Sequence, residues 1–189
     1  RLSPVFAFWG RLASQKNLPR ALRIFAQIKQ TYPEARFLII GPEGDDTKNV
    51  RDTIGSLRLA NHVEVLSACP FDQIPPILAE RGVCFYLQTS RYEGMSVSVT
   101  EAMQLGLIPV VTPVGEISSY ANTQNALLLD PFDEKQDAAA IRQIRDLLNN
   151  PRERFKKRKA AISTWTNRTT YAVSVRQTLA EALRISNTR

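Results

Sequence analysis

At 189 residues the chain can fold as one domain with a sizeable core, and 43% hydrophobic with 23% charged residues fits a globular rather than a disordered protein. No apolar run approaches the roughly 20 residues of a membrane-spanning helix, which excludes such a span here. The net charge of +7 and pI near 9.7 suit anionic or phosphorylated partners, although nucleic acid is not expected among them.

Much of that excess lies in Arg152, Arg154, Lys156, Lys157, Arg158 and Lys159. A solvated helix face is the first reading of this cluster, and a peripheral contact with the inner face of a membrane is the second. The opening Arg1-Leu2-Ser3-Pro4 lacks an initiator Met and enters an apolar run at once, so a fragment of a longer, cytoplasmic protein is expected. Cys69 and Cys84 have neither CxxC spacing nor histidines nearby and are expected as free, mostly buried thiols. The single histidine, His62, falls beside a strand start and suits a turn or strand edge.

In chain order, Val5–Trp9 is a continuous apolar run, as expected of a strand buried on both faces. The loop Gly10–Asn17 follows, with Asn17 as helix cap and Pro19 in the first turn of a helix reaching Tyr32. Arg36–Ile40 is the second strand, ended by Gly41-Pro42-Glu43-Gly44. A helix over Thr47–Leu59, a strand over His62–Leu66 and a short helix over Phe71–Glu80 come next. Val83–Leu87 is the fourth strand and Ile108–Thr112 the fifth. A short helix begins at Gly115-Glu116-Ile117, and Ala126–Leu129 is the sixth strand. From Asp133 to Arg189 the pattern is helical only, broken at Pro151 and again near Trp165-Thr166-Asn167. Apolar strands alternating with helices predict a Rossmann-like, doubly wound α/β fold. Its mostly parallel six-stranded sheet would carry helices on both faces and a helical C-terminal tail, all in a single domain over residues 1–189.

In such a sheet, ligands bind at the carboxyl ends of the strands. Three loops at that edge carry the notable polar residues: Gly10–Lys16, Gly41–Gly44 and Thr89–Ser98. The third opens the run Glu93-Gly94-Met95-Ser96-Val97-Ser98-Val99-Thr100-Glu101, in which two carboxylates enclose seven residues. Small residues there let backbone N–H groups approach an anion, and the following helix N-terminus adds its dipole. Arg11 and Lys16, five apart in their loop, can both aim at phosphate oxygens, although each alone also reads as a surface cation. Glu101 has two readings of equal weight: Ser98-x-x-Glu101 matches a capping box, and the same carboxylate can grip ligand hydroxyls. Glu93 has no such local duty. Met95 and Met103 read as packing residues, and Tyr92 can either stack on a ligand or cover the sheet edge. No GxxxxGK[ST] loop, GxSxG elbow or GxGxxG after the first strand occurs.

The run EGMSVSVTEAMQLGLIPVVTPVG resembles the E-x7-E signature of family 4 glycosyltransferases, the large retaining family with the GT-B fold. FWGRLASQKN is similar to that family's first-strand motif and FLIIGPEG to its second, in the correct order over about Val5–Leu129. The resemblance implies the C-terminal, donor-binding half of a GT-B enzyme, whose N-terminal half holds the acceptor. It implies transfer of a hexosyl group from a nucleoside diphosphate sugar to a glycan, lipid or other acceptor, with retained configuration. It implies no metal or other cofactor. Arg11 and Lys16 would bind the pyrophosphate, with Gly10 beside them. Glu93 would contact the donor sugar, Gly94, Met95, Ser96 and Val97 would line the sugar and phosphates, and Glu101 would hold the ribose. Arg11, Lys16 and Glu93 would carry catalysis, and the loop at Leu66–Ala68 would border the base. This sequence departs from the family pattern at Ala68, at Thr89-Ser90 and at Gly115-Glu116, where the family often has Gly, Pro-Ser and Gly-Gly. A phosphorylase, synthase or nucleotide-sugar epimerase of the same fold, or a non-catalytic nucleotide-binding module, are the alternatives.

Overall fold

Val5–Trp9 form β1, the strand on which the sheet is built, and its last four residues are buried on both faces. A computed structural model describes residues 3–168. In chain order β1 is followed by α1 (Leu18–Thr31), β2 (Arg36–Ile40), α2 (Thr47–Ser56), β3 (Val63–Leu66), α3 (Ile74–Glu80) and β4 (Phe85–Gln88). Then come α4 (Val97–Gln104), β5 (Ile108–Val111), α5 (Ile117–Tyr120), β6 (Leu127–Leu128), α6 (Asp137–Asn149) and α7 (Pro151–Arg168). The six strands lie in the order β3-β2-β1-β4-β5-β6 and every pairing is parallel. Connections run outward in both directions from β1 and β4, so the crevice between those two strands is the switch point where such sheets place their ligands.

Strand register divides the core. Phe6 pairs with Phe85 across β1 and β4, and the two rings stack at 5.1 Å while Phe6 meets Phe25 of α1 edge-on at 6.0 Å. One residue on, Ala7 pairs with Tyr86, whose hydroxyl reaches Ser98 of α4 on the opposite face. Helices therefore cover both faces, as alternating burial in parallel strands requires.

Several boundaries differ from the sequence reading. β4 starts at Phe85 rather than Val83, which places Gln88 inside the strand, fully buried. α2 stops at Ser56, and Arg58 closes the turn in the left-handed region (φ 54°). No break occurs near Trp165-Thr166-Asn167: α7 continues to Arg168. No Pro or Gly interrupts it there, and the hydroxyl of Thr166 donates to the carbonyl of Ile162 one turn back. The helical tail expected beyond residue 168 lies outside the described residues.

The basic cluster on α7 is only partly a solvated face. Arg154 donates to the carbonyls of Leu147 and Leu148, capping the C-terminus of α6. Lys157 donates to Ala126 and Thr123, and Arg158 donates to Gly106 ahead of β5. Burial pushes the Lys157 ammonium below its usual pKa. Among the described residues no helix is long and apolar enough to cross a membrane. Both cysteines are free and half-buried. His62 sits just ahead of β3 with Nδ1 3.2 Å from the carbonyl of Ala35, the strand-edge role its position suggested.

Candidate functional site

The first loop is pinned from two sides. Leu12 N–H donates to Pro42 and Asp46 N–H to Leu12, while a Cβ at Gly41 would lie 1.9 Å from the carbonyl oxygen of Gly10. On the other side Arg91 N–H donates to Gln15, and the Thr89 hydroxyl to Asn17. Asn17 holds the cap position of α1 in the left-handed region, but its side chain makes no capping bond. These contacts bring the β1 loop and the β4 loop together over the switch point.

Lys16 and Glu93 meet there. Nζ lies 2.6 Å from Oε1, with the two side chains 15% and 6% exposed. The same oxygen accepts from the Ser90 hydroxyl at 2.6 Å and from Gln88 Nε2 at 3.1 Å. Gln88 is held in turn by Ser96 and Ser98, and its Oε1 accepts from Tyr86 at 2.7 Å. Burial pushes the Tyr86 phenol well above the usual tyrosine range, so it stays a donor to Gln88. The network anchors Glu93 through side chains that reach from β4 and from the start of α4.

Glu101 does not cap its helix. α4 begins at Val97, and Ser96 is the cap residue in the left-handed region (φ 51°) with no side-chain capping bond. Ser98, the expected cap, spends its hydroxyl on Tyr86 and Gln88. Glu101 therefore lies in the second turn, where Oε2 accepts from the Trp9 indole N–H at 2.7 Å. Beside it is a cavity of about 210 Å³ whose lining includes Trp9, Gly10, Ala68, Cys69, Phe71 and Glu101. Leu66 closes β3 below this cavity and accepts a bond from Gly41 N–H without lining it.

The remaining expected residues fall around this centre. Arg11 is exposed on the same loop, and its charge acts on Asp45, which the Ser14 hydroxyl and N–H hold below the usual carboxylate range. Arg11 is not bonded to Lys16 or Glu93. Gly94 is uncrowded, and its carbonyl accepts from Glu116 N–H. Met95 is 53% exposed rather than packed, whereas Met103 is fully buried as expected. Val97 and Tyr92 are also exposed, so Tyr92 does not cover the sheet edge. The α4 terminus offers the N–H groups that the first helical turn leaves unbonded.

A larger depression of about 490 Å³ lies at the opposite edge, by Val5, Arg36, His62 and Arg81. Its charged groups are already paired, Arg81 with both oxygens of Glu64 and Arg36 with the carbonyl of Asn61. The carboxyl edge, where Lys16, Glu93 and Glu101 converge, is the candidate site.

The sequence model described as "Glycosyl transferases group 1" matches residues 3–164. The chain belongs to the group 1 glycosyltransferases. Among relatives of this glycosyltransferase chain, the GDP-mannose:cellobiosyl-diphosphopolyprenol alpha-mannosyltransferase of Xanthomonas oryzae pv. oryzae is 24% identical over 162 residues, 85% of this chain and 42% of the relative. The chain thus spans less than half the length of that protein, and 36% of an uncharacterized glycosyltransferase from Bacillus subtilis. In structure it is similar to HepE of Anabaena, solved with UDP and glucose (TM-score 0.80, 21% identity, 96% of this chain and 48% of that one). It is also similar to the C-terminal domain of a group 1 glycosyltransferase, LpcC, from Francisella tularensis (TM-score 0.72, 17% identity, 89% and 87% covered). At these identities the likeness is one of fold, and the neighbours are GT-B glycosyltransferases.

Of the residues the sequence singled out, Lys16 and Glu93 pair at this edge, Glu101 bonds Trp9, and Arg11 stands exposed on the same loop; Gln88, Ser90 and Trp9 were not among them. Ser90 stands three residues before Glu93, a spacing that could have flagged it. Gln88 is bonded by Tyr86, two residues back on β4, and by Ser96 and Ser98 at the start of α4, whereas the partner of Trp9 lies 92 residues away with no local signal.

Proposed function

We propose that this chain is the donor-binding, C-terminal half of a retaining family 4 glycosyltransferase that moves a hexosyl group from a nucleoside diphosphate sugar. The observation that carries the reading is the Lys16–Glu93 pair at the switch point, held from β4 beside Glu101 and an apolar cavity. Nucleotide-sugar chemistry needs one cationic point for the diphosphate, one acceptor for the sugar hydroxyls, one for the ribose and an apolar slot for the base. Arg11, Lys16 and the α4 terminus supply positive potential where the diphosphate leaving group develops charge. Glu93 orients the sugar, Gly94 to Val97 lie along the sugar and phosphates, and Glu101 holds the ribose. The slot next to Ala68 takes the base.

The acceptor, a glycan, a lipid or another molecule, belongs on this reading to an N-terminal half outside the chain. Relatives of 24–29% identity are named as mannosyl- and glucosyltransferases, one of them acting on a polyprenol-linked glycan, which supports the assignment of class. The test is calorimetric titration of the full-length protein with UDP and GDP, followed by product analysis with the matching sugar donors. Lys16→Ala is expected to lower donor use by about 10²–10³. A wild type that binds neither diphosphate overturns the donor assignment, and a product of inverted anomeric configuration overturns retention alone.

A further inference from the structure

Trp9 ends β1 and is only 5% exposed, with its ring edge-on to Tyr86 at 4.5 Å and 64°. A buried indole N–H needs an acceptor. Here the acceptor is neither a carbonyl nor a hydroxyl of the core but the carboxylate of Glu101, 92 residues along the chain, at 2.7 Å. A neutral donor meeting an ionised acceptor makes one of the stronger hydrogen bonds. Trp9 and Glu101 also line the same 210 Å³ cavity.

We infer that Trp9 is a positioning residue for nucleotide recognition, fixing the Glu101 carboxylate so that it reads the vicinal diol of a ribose. This rests on the reading of Glu101 as the ribose ligand. The geometry gives the indole that task in three ways. Tyr86 locks the ring from the side, so the N–H direction is set by the sheet and not by a mobile loop. The bond engages Oε2, which restrains the terminal torsion of a carboxylate that lines the cavity. The pair also ties β1 to α4, the helix that follows β4, and so bridges the two sides of the switch point between β1 and β4. A Glu on the second turn of a helix without such a tether has several rotamers, and fixing one before the ligand arrives removes that ordering cost from binding.

The test compares UDP with 2′,3′-dideoxy-UDP by calorimetry on the full-length protein, or the guanine pair if GDP binds more tightly. Trp9→Phe keeps an aromatic ring against Tyr86 and removes the N–H. It is expected to weaken binding of the ribonucleotide about five- to tenfold and to leave the dideoxy compound within about twofold, so the preference for ribose collapses. In a Glu101→Ala background the same change should add nothing further. Equal weakening of both nucleotides, no change in either, or full additivity with Glu101→Ala overturns the inference and leaves Trp9 a packing residue. If Glu101→Ala itself keeps the wild-type preference for ribose, the ribose reading of Glu101 fails, and this inference fails with it.

Discussion

Gly115 offers the sharpest test of how the site is held. It sits after β5 in the left-handed region (φ 56°), and a Cβ there would lie 1.9 Å from the carbonyl oxygen of Glu93 and 3.0 Å from that of Gly94. Backbone cannot yield as a side-chain tip can. Restoring a separation of 3.0 Å would move the Glu93 segment by at least about 1.1 Å. The left-handed conformation adds about 1–2 kcal/mol for any residue with a Cβ. Gly115→Ala is therefore expected to destabilise the chain by about 2–3 kcal/mol in urea unfolding. A shift of that size at Glu93 would lengthen the bonds to Lys16 and Ser90, and about 1 Å of misplacement costs on the order of 10² in rate. The assay is urea unfolding of the full-length protein together with kcat/KM for its sugar donor. Gly94→Ala is the control for stability, since nothing lies within 4 Å of its added methyl. A Gly115→Ala protein with wild-type stability and turnover would refute the claim that the β5 loop buttresses Glu93.

Three further outcomes are expected. Arg20, 2% exposed on α1, makes a bidentate pair with Asp137 at 2.6 and 3.0 Å, so Arg20→Met should cost about 3–5 kcal/mol by stranding the carboxylate, while Arg20→Met with Asp137→Leu recovers most of it in the same urea assay. Gly55 lies near the end of α2 with open space around it, and Gly55→Ala should raise stability by about 0.5–1 kcal/mol, read as a higher urea midpoint at unchanged slope. Tyr86 and Tyr120 both titrate above the ordinary value of 10.0 because burial opposes the phenolate. The folded chain then keeps protons that the unfolded chain releases, so this contribution to stability is complete below pH 10.0 and falls as pH rises beyond it. The alkaline step in phenolate absorbance should include a part that coincides with loss of the circular dichroism signal and shrinks in Tyr86→Phe.

The fold was legible because its signals are local. A short continuous apolar run such as Val5–Trp9, closed by Gly10, fits a strand buried on both faces, and alternation of such runs with helices leaves a parallel sheet as the economical arrangement. The loops at the carboxyl edge followed from that topology, and with them Lys16 and Glu93, although nothing in the sequence brings together two residues 77 apart. Two local patterns misled. Ser98-x-x-Glu101 has capping-box spacing, yet Ser96 takes the left-handed conformation and starts the helix two residues early, which turns Ser98 toward Gln88 and Glu101 toward Trp9. The run of cations on α7 has the look of a solvated face, but Arg154, Lys157 and Arg158 satisfy carbonyls at element ends that the sequence does not pair with them. Arg20 stands among apolar residues at helical spacing without any local sign of burial, and its partners, Asp137 and the carbonyl of Asp130, lie more than 100 residues away.

The surroundings of Glu93 also bear on what it can do. Three donors, the Lys16 ammonium, the Ser90 hydroxyl and the Gln88 amide, converge on one carboxylate oxygen. Each stabilises the anion and draws electron density from it, which suits an oriented acceptor and opposes attack on carbon. The ion pair is also partly shielded from water, so its attraction is stronger than that of a surface pair. On the proposed function, a diphosphate arriving at the β1 loop would compete with Glu93 for the same ammonium, its oxygens replacing the carboxylate as the partner of Lys16. Glu93 would keep Ser90 and Gln88 and turn its freed capacity to the sugar hydroxyls. On this account Lys16→Ala and Glu93→Gln should not be additive in donor affinity, because each removes the partner that the other exchanges. A double variant of Lys16→Ala with Glu93→Gln, titrated beside the two single ones, measures that coupling, and strict additivity would show that the ion pair plays no part in donor entry.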